Sequence, residues 1–232
     1  MCRSRAEWPT GIAVLVVIVC AGVCLGGCAG DQAGSDRAEP AGLSNIERLL
    51  VAPFYIATER YEVGTTLECS VCGAVFVTGP VARGDDTYMT EQLLAYLKSK
   101  TTFSLIPPEE SEGVRSKIVF DSVDQSRRDI LLEMGRKLDA DAVISGTLFR
   151  FRQRVGTGYS VETPASVAFS IYLIRVSDGQ LLWDGHFDET QKPLSEDLFR
   201  LFSFIKGGGA WLTAEELARQ GLDEVMATFP VQ

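Results

Sequence analysis

The protein has 232 residues, of which 46% are hydrophobic and 23% charged, and its formal net charge is −9. This composition supports one packed domain with appendages and excludes a chain that is disordered throughout. The acidic balance argues against nucleic acid as a partner, because phosphate binding needs a basic face.

The N-terminus carries an apolar run of about 15 residues, Gly11 to Leu25, preceded by Arg3 and Arg5. A helix that spans a bilayer needs roughly 20 apolar residues, so the run is short for a permanent span. Basic residues, an apolar stretch of this length and the small residues Gly26 and Gly27 are together typical of an export signal.

The residues Leu25-Gly26-Gly27-Cys28 resemble the lipobox of bacterial lipoproteins. The resemblance implies cleavage between Gly27 and Cys28 and attachment of acyl chains, such as palmitate, to the sulfur and the new amino group of Cys28. Ala29, rather than aspartate, follows, which by the same resemblance implies the outer membrane. The alternative is a plain secretory signal in which this cysteine is a coincidence.

These observations predict three regions. Residues 1–27 are a signal peptide, and residues 28–45 are a flexible tether of small and polar residues broken by Pro40. Residues 46–232 form a single domain. Cys28 then holds the protein on the lipid bilayer, and the domain faces the periplasm.

The domain begins with "ERLLVAPF", a short apolar run ended by proline, which predicts a buried strand. An irregular insertion, residues 56–87, separates it from a helix over "DDTYMTEQLLAYLKSK", with Asp85 or Asp86 as N-cap. A strand in "FSLIPP" is expected to stop at Pro107 and Pro108. A second helix then covers "SRRDILLEMGRKLDAD", with Ser126 or Asp129 near its start.

Two long strands follow in "AVISGTLFRFRQR" and "ASVAFSIYLIRV". The sequence Ser177-Asp178-Gly179-Gln180 predicts a tight turn into the partner strand "LLWDGHFDETQ". The C-terminal stretch reads as two helices separated by Gly207, Gly208 and Gly209. Thr213 and Glu216 form a capping-box pattern at the start of the second of these helices.

Interleaved strands and helices predict an α/β fold with a single mixed sheet, helices mainly on one face, a late β-hairpin and two C-terminal helices. Residues 48 to 190 resemble the TolB N-terminal domain, the curli-secretion lipoprotein CsgG and the lipoprotein activators of peptidoglycan synthases. The residues that carry the resemblance are Pro53-Phe54, "FSLIPP", "LDADAVISGTL" and "SDGQLLW". The resemblance concerns the fold and assigns no functional residue.

Cys69 and Cys72 are the most distinctive local feature of the domain. A disulfide fits an exported chain, because the periplasm is oxidising. A zinc site would lack a second cysteine pair, and a redox pair would be expected at the start of a helix rather than before a strand. These readings stay open, with a disulfide or idle loop thiols favoured; we expect no metal and no cofactor.

No set of residues predicts catalysis. His186 is the only histidine and lies two positions from Asp184 and Asp188 on the same strand face, but no positioned nucleophile accompanies it. Arg150 to Arg154 place three alternate arginines on one strand face, which indicates a solvated basic stripe or, less often, a docking site.

The sequence therefore predicts a non-enzymatic, lipid-anchored periplasmic lipoprotein that binds other envelope proteins. The alternatives are a redox or metal-binding envelope protein that uses Cys69 and Cys72, and a subunit of a secretion pore. An insertion as long as residues 56–87 is usually functional or disordered. We expect it to hold part of the partner-binding face, through Tyr55, Tyr61 and Phe76, and residues 60 to 84 to be removable without unfolding the domain.

Overall fold

The computed structural model describes residues 43, 45–121, 126–157, 161–191 and 211–230. All of them belong to one compact unit, Pro40–Gln232. The predicted signal peptide, Cys28, nearly all of the predicted tether and the first of the two predicted C-terminal helices lie outside the described residues.

The described part of the chain contains ten strands and four α-helices. The strands are β1 (Arg48–Val51), β2 (Tyr55–Ile56), β3 (Thr66–Glu68), β4 (Val75–Val77), β5 (Ser104–Ile106), β6 (Ala142–Arg152), β7 (Val155–Gly156), β8 (Val161–Thr163), β9 (Ser166–Arg175) and β10 (Leu181–Thr190). The helices are α1 (Asp85–Lys100), α2 (Pro108–Asp121), α3 (Arg127–Lys137) and α4 (Ala214–Met226). None of the described helices is long and apolar enough to cross a bilayer.

One six-stranded mixed sheet organises the domain, in the order β10-β9-β6-β1-β5, with β2 added along β6. β1 pairs in parallel with β5 and β6, whereas β9 runs antiparallel to β6 and β10. β3 with β4 and β7 with β8 form two small separate hairpins. The α/β class, the mixed sheet and the late hairpin are thereby confirmed.

The helices divide between the two faces of this sheet, rather than lying mainly on one. Leu49 and Val51 of β1 belong to an apolar cluster with α1 and α4, which we call the first face. Leu50 and Ala52 belong to a separate cluster with α2 and α3 on the second face. Because successive side chains of a strand point to opposite faces, both sides of β1 are covered, as is usual for parallel strands.

Two residues of the "LDADAVISG" stretch have clear structural tasks. The carboxylate of Asp141 accepts hydrogen bonds from the backbone amides of Glu47 at 2.9 Å and Arg48 at 2.8 Å, which fixes the start of β1 beside β6. A Cβ on Gly146 would lie 2.2 Å from the ring of Phe54, so only glycine admits this close approach. These positions carry packing, not chemistry.

The largest error of the sequence reading concerns α2, which begins at Pro108, where the sequence predicted only the end of a strand. Proline suits the first turn of a helix, because its missing amide would have no partner there. The N-cap of α1 is Gly84, in the left-handed region with φ 94°, and not Asp85 or Asp86.

Other local predictions are confirmed. Ser126 caps α3 by accepting from the amide of Asp129, and Thr213 with Glu216 forms the expected capping box of α4. The turn between β9 and β10 is longer than two residues, but Gly179 adopts the expected positive φ of 73°. Leu43, assigned to the tether, is buried in the first-face cluster, so the packed domain begins earlier than predicted.

Candidate functional site

The insertion of residues 56–87 contains an ordered β-hairpin, formed by β3 and β4, that packs on the second face of the sheet. β3 and β4 pair antiparallel, with Leu67 opposite Phe76 on the inner side. The ring of Phe76 stacks on that of Phe149 at a centroid distance of 4.0 Å and an interplanar angle of 10°. Phe76 is 1% exposed and shares a cluster with Ala57 and Ala168.

This packing corrects two expectations about the insertion. Phe76 belongs to the core, and Tyr55 lies against the guanidinium of Arg127, so only Tyr61 of the three aromatic residues is an exposed side chain. Removing residues 60 to 84 would uncover Phe149 and the centre of β9. We therefore expect that deletion to destabilise the domain rather than to leave it folded.

The turn of this hairpin holds Cys69 and Cys72. The amide of Cys69 donates to the carbonyl of Ala74 and the amide of Gly73 donates to the carbonyl of Cys69, both at 2.8 Å. Gly73 has φ 70°, which glycine adopts without strain. The amide of Cys72 donates to Sγ of Cys69 at 3.2 Å, so the backbone itself directs a positive dipole at this sulfur.

Beneath the hairpin, β6, β9 and β10 place a row of polar side chains on the second face. We call it the polar strip; its members are Ser145, Thr147, Ser170, Tyr172 and His186. The strand register sets Thr147 and His186 opposite Ser170 on either side. Ser145 and Ser170 are fully buried. Sγ of Cys69 lies 3.6 Å from Oγ of Ser170, which joins the cysteine turn to the strip.

The environment of Cys69 favours its thiolate. A hydrogen bond from the thiol of Cys72 is the largest cause, and together with backbone amides and Ser170 it lowers the pKa of Cys69 to about 5, although burial opposes this shift. The same contact, with burial, raises the pKa of Cys72. Deprotonation of the pair is therefore favoured at the buried sulfur of Cys69, which then holds the negative charge.

We expect this charge to be measurable in the reduced protein. Ultraviolet thiolate absorbance should show one ionisation with a midpoint near pH 5 that is absent from Cys69→Ser. In Cys72→Ala the midpoint should rise toward the ordinary thiol value of about 8.5, because the strongest hydrogen bond to the thiolate is gone. Cys72→Ser, which keeps a hydroxyl donor, is the matched control and should retain a lowered midpoint. An unchanged midpoint in Cys72→Ala would show that this hydrogen bond is not the cause.

Arg127 forms a second polar centre on the same face, at the start of α3. Its Nε donates to the hydroxyl of Tyr172 at 2.8 Å, and Nη2 donates to Oγ of Ser145 at 3.0 Å and to the carbonyl of Gly146 at 3.1 Å. The guanidinium carbon lies 4.6 Å from the centre of the Tyr55 ring. These contacts tie α3 to β6 and β9, and they use the arginine as a structural donor.

The predicted basic stripe is wrong for Arg150. Its side chain is 12% exposed and forms an ion pair with Asp188 on β10. Nε donates to Oγ of Ser166 at 2.6 Å, and Nη1 donates to the carbonyl of Val77 at 2.8 Å. Arg150 thus fastens the hairpin to the sheet instead of facing solvent.

The structure does not gather a catalytic set around His186. Its ring packs edge-on against Phe76 at a centroid distance of 6.0 Å, and Asp188 is engaged by Arg150. Among the described residues, no three His, Cys, Asp or Glu side chains lie close enough together to hold a metal ion. Cys69 and Cys72 are both free thiols in this structure. A disulfide between them stays a prediction.

Sequence reasoning missed Arg127, Ser170 and Tyr172 as parts of this site. Ser170 and Tyr172 interrupt the apolar run of β9 with polar groups on alternate residues, and such groups need partners when buried. This alternation is the feature of the sequence that could have indicated a buried polar site at Ser170 and Tyr172. The residues next to Arg127 in the sequence do not indicate that its side chain donates hydrogen bonds to β6 and β9, which follow it in the chain.

Searches of family models and of curated proteins find no match to this chain. Similar solved structures include a PelC dodecamer from Paraburkholderia phytofirmans, with 13% identity, a TM-score of 0.45 and coverage of 81% of this chain and 89% of that one. The LpoB C-terminal domain from Salmonella enterica has 17% identity, a TM-score of 0.39 and coverage of 65% and 87%. The lipoprotein GNA1162 from Neisseria meningitidis has 17% identity, a TM-score of 0.36 and coverage of 69% and 96%. Similarity of this degree defines no function, and the resemblance to TolB and CsgG stays a prediction.

Proposed function

We propose that this chain is a non-enzymatic lipoprotein, anchored by acylated Cys28 in the bacterial outer membrane, whose periplasmic domain binds other envelope proteins. The export signal followed by Leu25-Gly26-Gly27-Cys28 supports the anchor. Several acyl chains, at about 0.8 kcal/mol per buried CH₂, hold a protein on a bilayer without a spanning helix.

The observation that supports binding is the outer face of the β3–β4 hairpin. Val75 and Val77 flank the buried Phe76 and point away from the domain, with exposed fractions of 63% and 46%. Val63, 62% exposed, lies at the open end of the same hairpin, where the amide of Gly64 donates to the carbonyl of Thr78. We call these three residues the valine face. Single exposed apolar residues are ordinary, but a group of them on one small element suits a protein interface.

The valine face is held rigidly by the rest of the domain. Phe76 anchors it from below, and Arg150 holds the carbonyl of Val77. The hydroxyl of Thr78 donates to the carbonyl of Glu62 at 2.7 Å, which closes the open end of the hairpin. A surface that is ordered before binding loses less conformational entropy when a partner docks, so more of the contact energy contributes to affinity.

We expect the double substitution Val75→Ser and Val77→Ser to remove co-purifying partner proteins while the domain stays folded. Both side chains are exposed, so the change in the free energy of unfolding should stay within about 0.5 kcal/mol for each. The measurement is affinity purification of the anchored chain after crosslinking in native membranes, followed by mass spectrometry. Val155→Ser, an equally apolar and 52% exposed position on the β7–β8 hairpin, is the matched control. Unchanged partner recovery from the double variant would place the interface elsewhere.

The alternative of a redox or metal-binding protein is favoured by one observation, the placement of Cys69 and Cys72 on one turn, where the amide of Cys72 donates to Sγ of Cys69 at 3.2 Å. Thiol titration and a stoichiometric zinc signal in metal analysis of the purified protein would favour that alternative. The alternative of a secretion-pore subunit has no comparable support. A pore subunit needs strands with lipid-facing residues, for which the stretch "ASVAFSIYLIRV" is the best candidate. This stretch contains β9, which lies between β6 and β10 and has nine of its ten residues buried.

A further inference from the structure

We propose that reduced Cys69 and Cys72 form a two-coordinate site for a soft monovalent d¹⁰ metal ion, with Cu(I) as the physiological ion. The site belongs to the turn of the β3–β4 hairpin and is separate from the valine face. Metal binding at this site therefore does not depend on whether the valine face binds a partner.

The turn of the hairpin presents the two cysteines as a preorganised pair of ligands. The two cysteines lie three residues apart on a turn closed by the hydrogen bonds of Cys69 with Ala74 and Gly73. The amide of Cys72 already donates to Sγ of Cys69, as it would to a metal-bound thiolate. These hydrogen bonds hold both cysteines on one ordered turn before an ion binds, so little backbone ordering entropy is lost on binding.

The residues around Cys69 and Cys72 resemble those that surround the ligands in established metal sites. Oγ of Ser170 lies 3.6 Å from Sγ of Cys69 and can donate to it. Leu67, Val71 and Ala74 pack around the pair and limit access of water. Cys69 is buried, whereas Cys72 is half-buried, so an ion can enter from the side of Cys72. Outer partners of this kind orient metal ligands and support affinity.

The number of available protein ligands determines which kind of ion this site can bind. Structural zinc needs four ligands in a tetrahedral arrangement. In the described part of the chain, no third His, Cys, Asp or Glu joins the two cysteines to complete a metal-binding group. The only histidine of the sequence is His186, and the other cysteines all precede residue 29. Soft thiolates prefer soft ions, and a monovalent d¹⁰ ion is satisfied by two sulfurs in a linear arrangement.

Binding of the ion involves no redox step. The ion forms two metal–sulfur bonds, and whichever thiol protons remain are released to solvent. The oxidation state of copper does not change. A Cys69–Cys72 disulfide would occupy the same two sulfurs, so only the reduced chain binds the ion.

The test uses the full processed chain, purified in detergent under reductant without oxygen, after thiol titration has shown that both cysteines are free. Cu(I) is supplied as its bicinchoninate complex, whose loss of colour reports transfer to the protein. We expect one Cu(I) per chain, X-ray absorption with two sulfur neighbours, and loss of binding in Cys69→Ser and in Cys72→Ser. Ser170→Ala should bind roughly 10-fold more weakly, because only an outer partner is removed. Ser70→Ala, an exposed residue of the same turn, should bind as the wild type does.

Three results would overturn the proposal. The first is a reduced wild-type chain that takes no Cu(I) from bicinchoninate. The second is zinc bound as tightly as Cu(I) at one ion per chain. The third is one ion shared by two chains in a dimer, which would indicate four thiolates from two copies. Because Cys69 is buried, circular dichroism must first show that Cys69→Ser folds. If Cys69→Ser does not fold, the binding measurements on Cys72→Ser and Ser170→Ala still test the proposal.

Discussion

Replacing Phe76 with alanine should lower the free energy of unfolding by about 3 to 5 kcal/mol, the usual cost of removing a buried aromatic ring. Phe76 is 1% exposed, and its ring stacks on Phe149 at 4.0 Å. The substitution leaves a cavity under the hairpin, and the rest of the domain cannot close it without moving β4. Urea unfolding of the purified protein, followed by circular dichroism, measures the effect.

The neighbouring residue provides the control for Phe76. Val75 is adjacent in the chain but points to solvent, so Val75→Ser should change the free energy of unfolding by no more than about 0.5 kcal/mol. The contrast between two consecutive residues separates the role of the inner face of the hairpin from that of its outer face. Equal stability of Phe76→Ala and wild type would mean that the insertion is not part of the core.

Changing Cys28 to serine should block acylation and leave the unprocessed precursor in the inner membrane. The lipobox resemblance implies that lipid is attached to the cysteine sulfur before the signal is cut, and a serine oxygen cannot take its place. The measurement is membrane fractionation with intact mass determination of the protein. The wild type should begin at Cys28 and carry the mass of its acyl chains.

Cys24→Ser is the matched control for this experiment. Cys24 lies four residues before Cys28, inside the apolar run of the predicted signal peptide. This variant should be processed, acylated and sorted as the wild type is. A Cys28→Ser chain that is still cut after Gly27 and floats with lipid would contradict the anchor.

The parts of the fold that the sequence predicted well are those that depend on local pattern. The apolar run Leu49 to Val51, the long strands and the caps at Ser126 and Thr213 need only neighbouring residues to be recognised. α2 was missed because Pro108 was read as a strand terminator, and its weakly amphipathic sequence gave no competing signal. Covering helices on both faces could have been inferred from β1, in which the consecutive residues Leu49 to Val51 are all apolar.

The candidate site was harder to predict because its contacts are remote in the chain. Phe76 packs on Phe149, Cys69 meets Ser170, and Arg150 reaches Asp188. Periodicity within the hairpin showed neither which of its faces would be buried nor where the cysteine turn would lie. The pair Cys69 and Cys72 was recognised by spacing alone, but its preference for a thiolate depends on the hydrogen bond from Cys72, on the backbone amides of the turn and on Ser170.

Site-specific photo-crosslinking tests the central claim most directly, namely that an anchored domain binds another envelope protein through the valine face. A photoreactive amino acid in place of Val75 should, on irradiation of native membranes, give a discrete adduct with one or a few envelope proteins. The same amino acid in place of Val155 should give none, and the adduct should be lost when Cys28→Ser prevents correct anchoring. No adduct at position 75, or equal adducts at positions 75 and 155, would contradict the account.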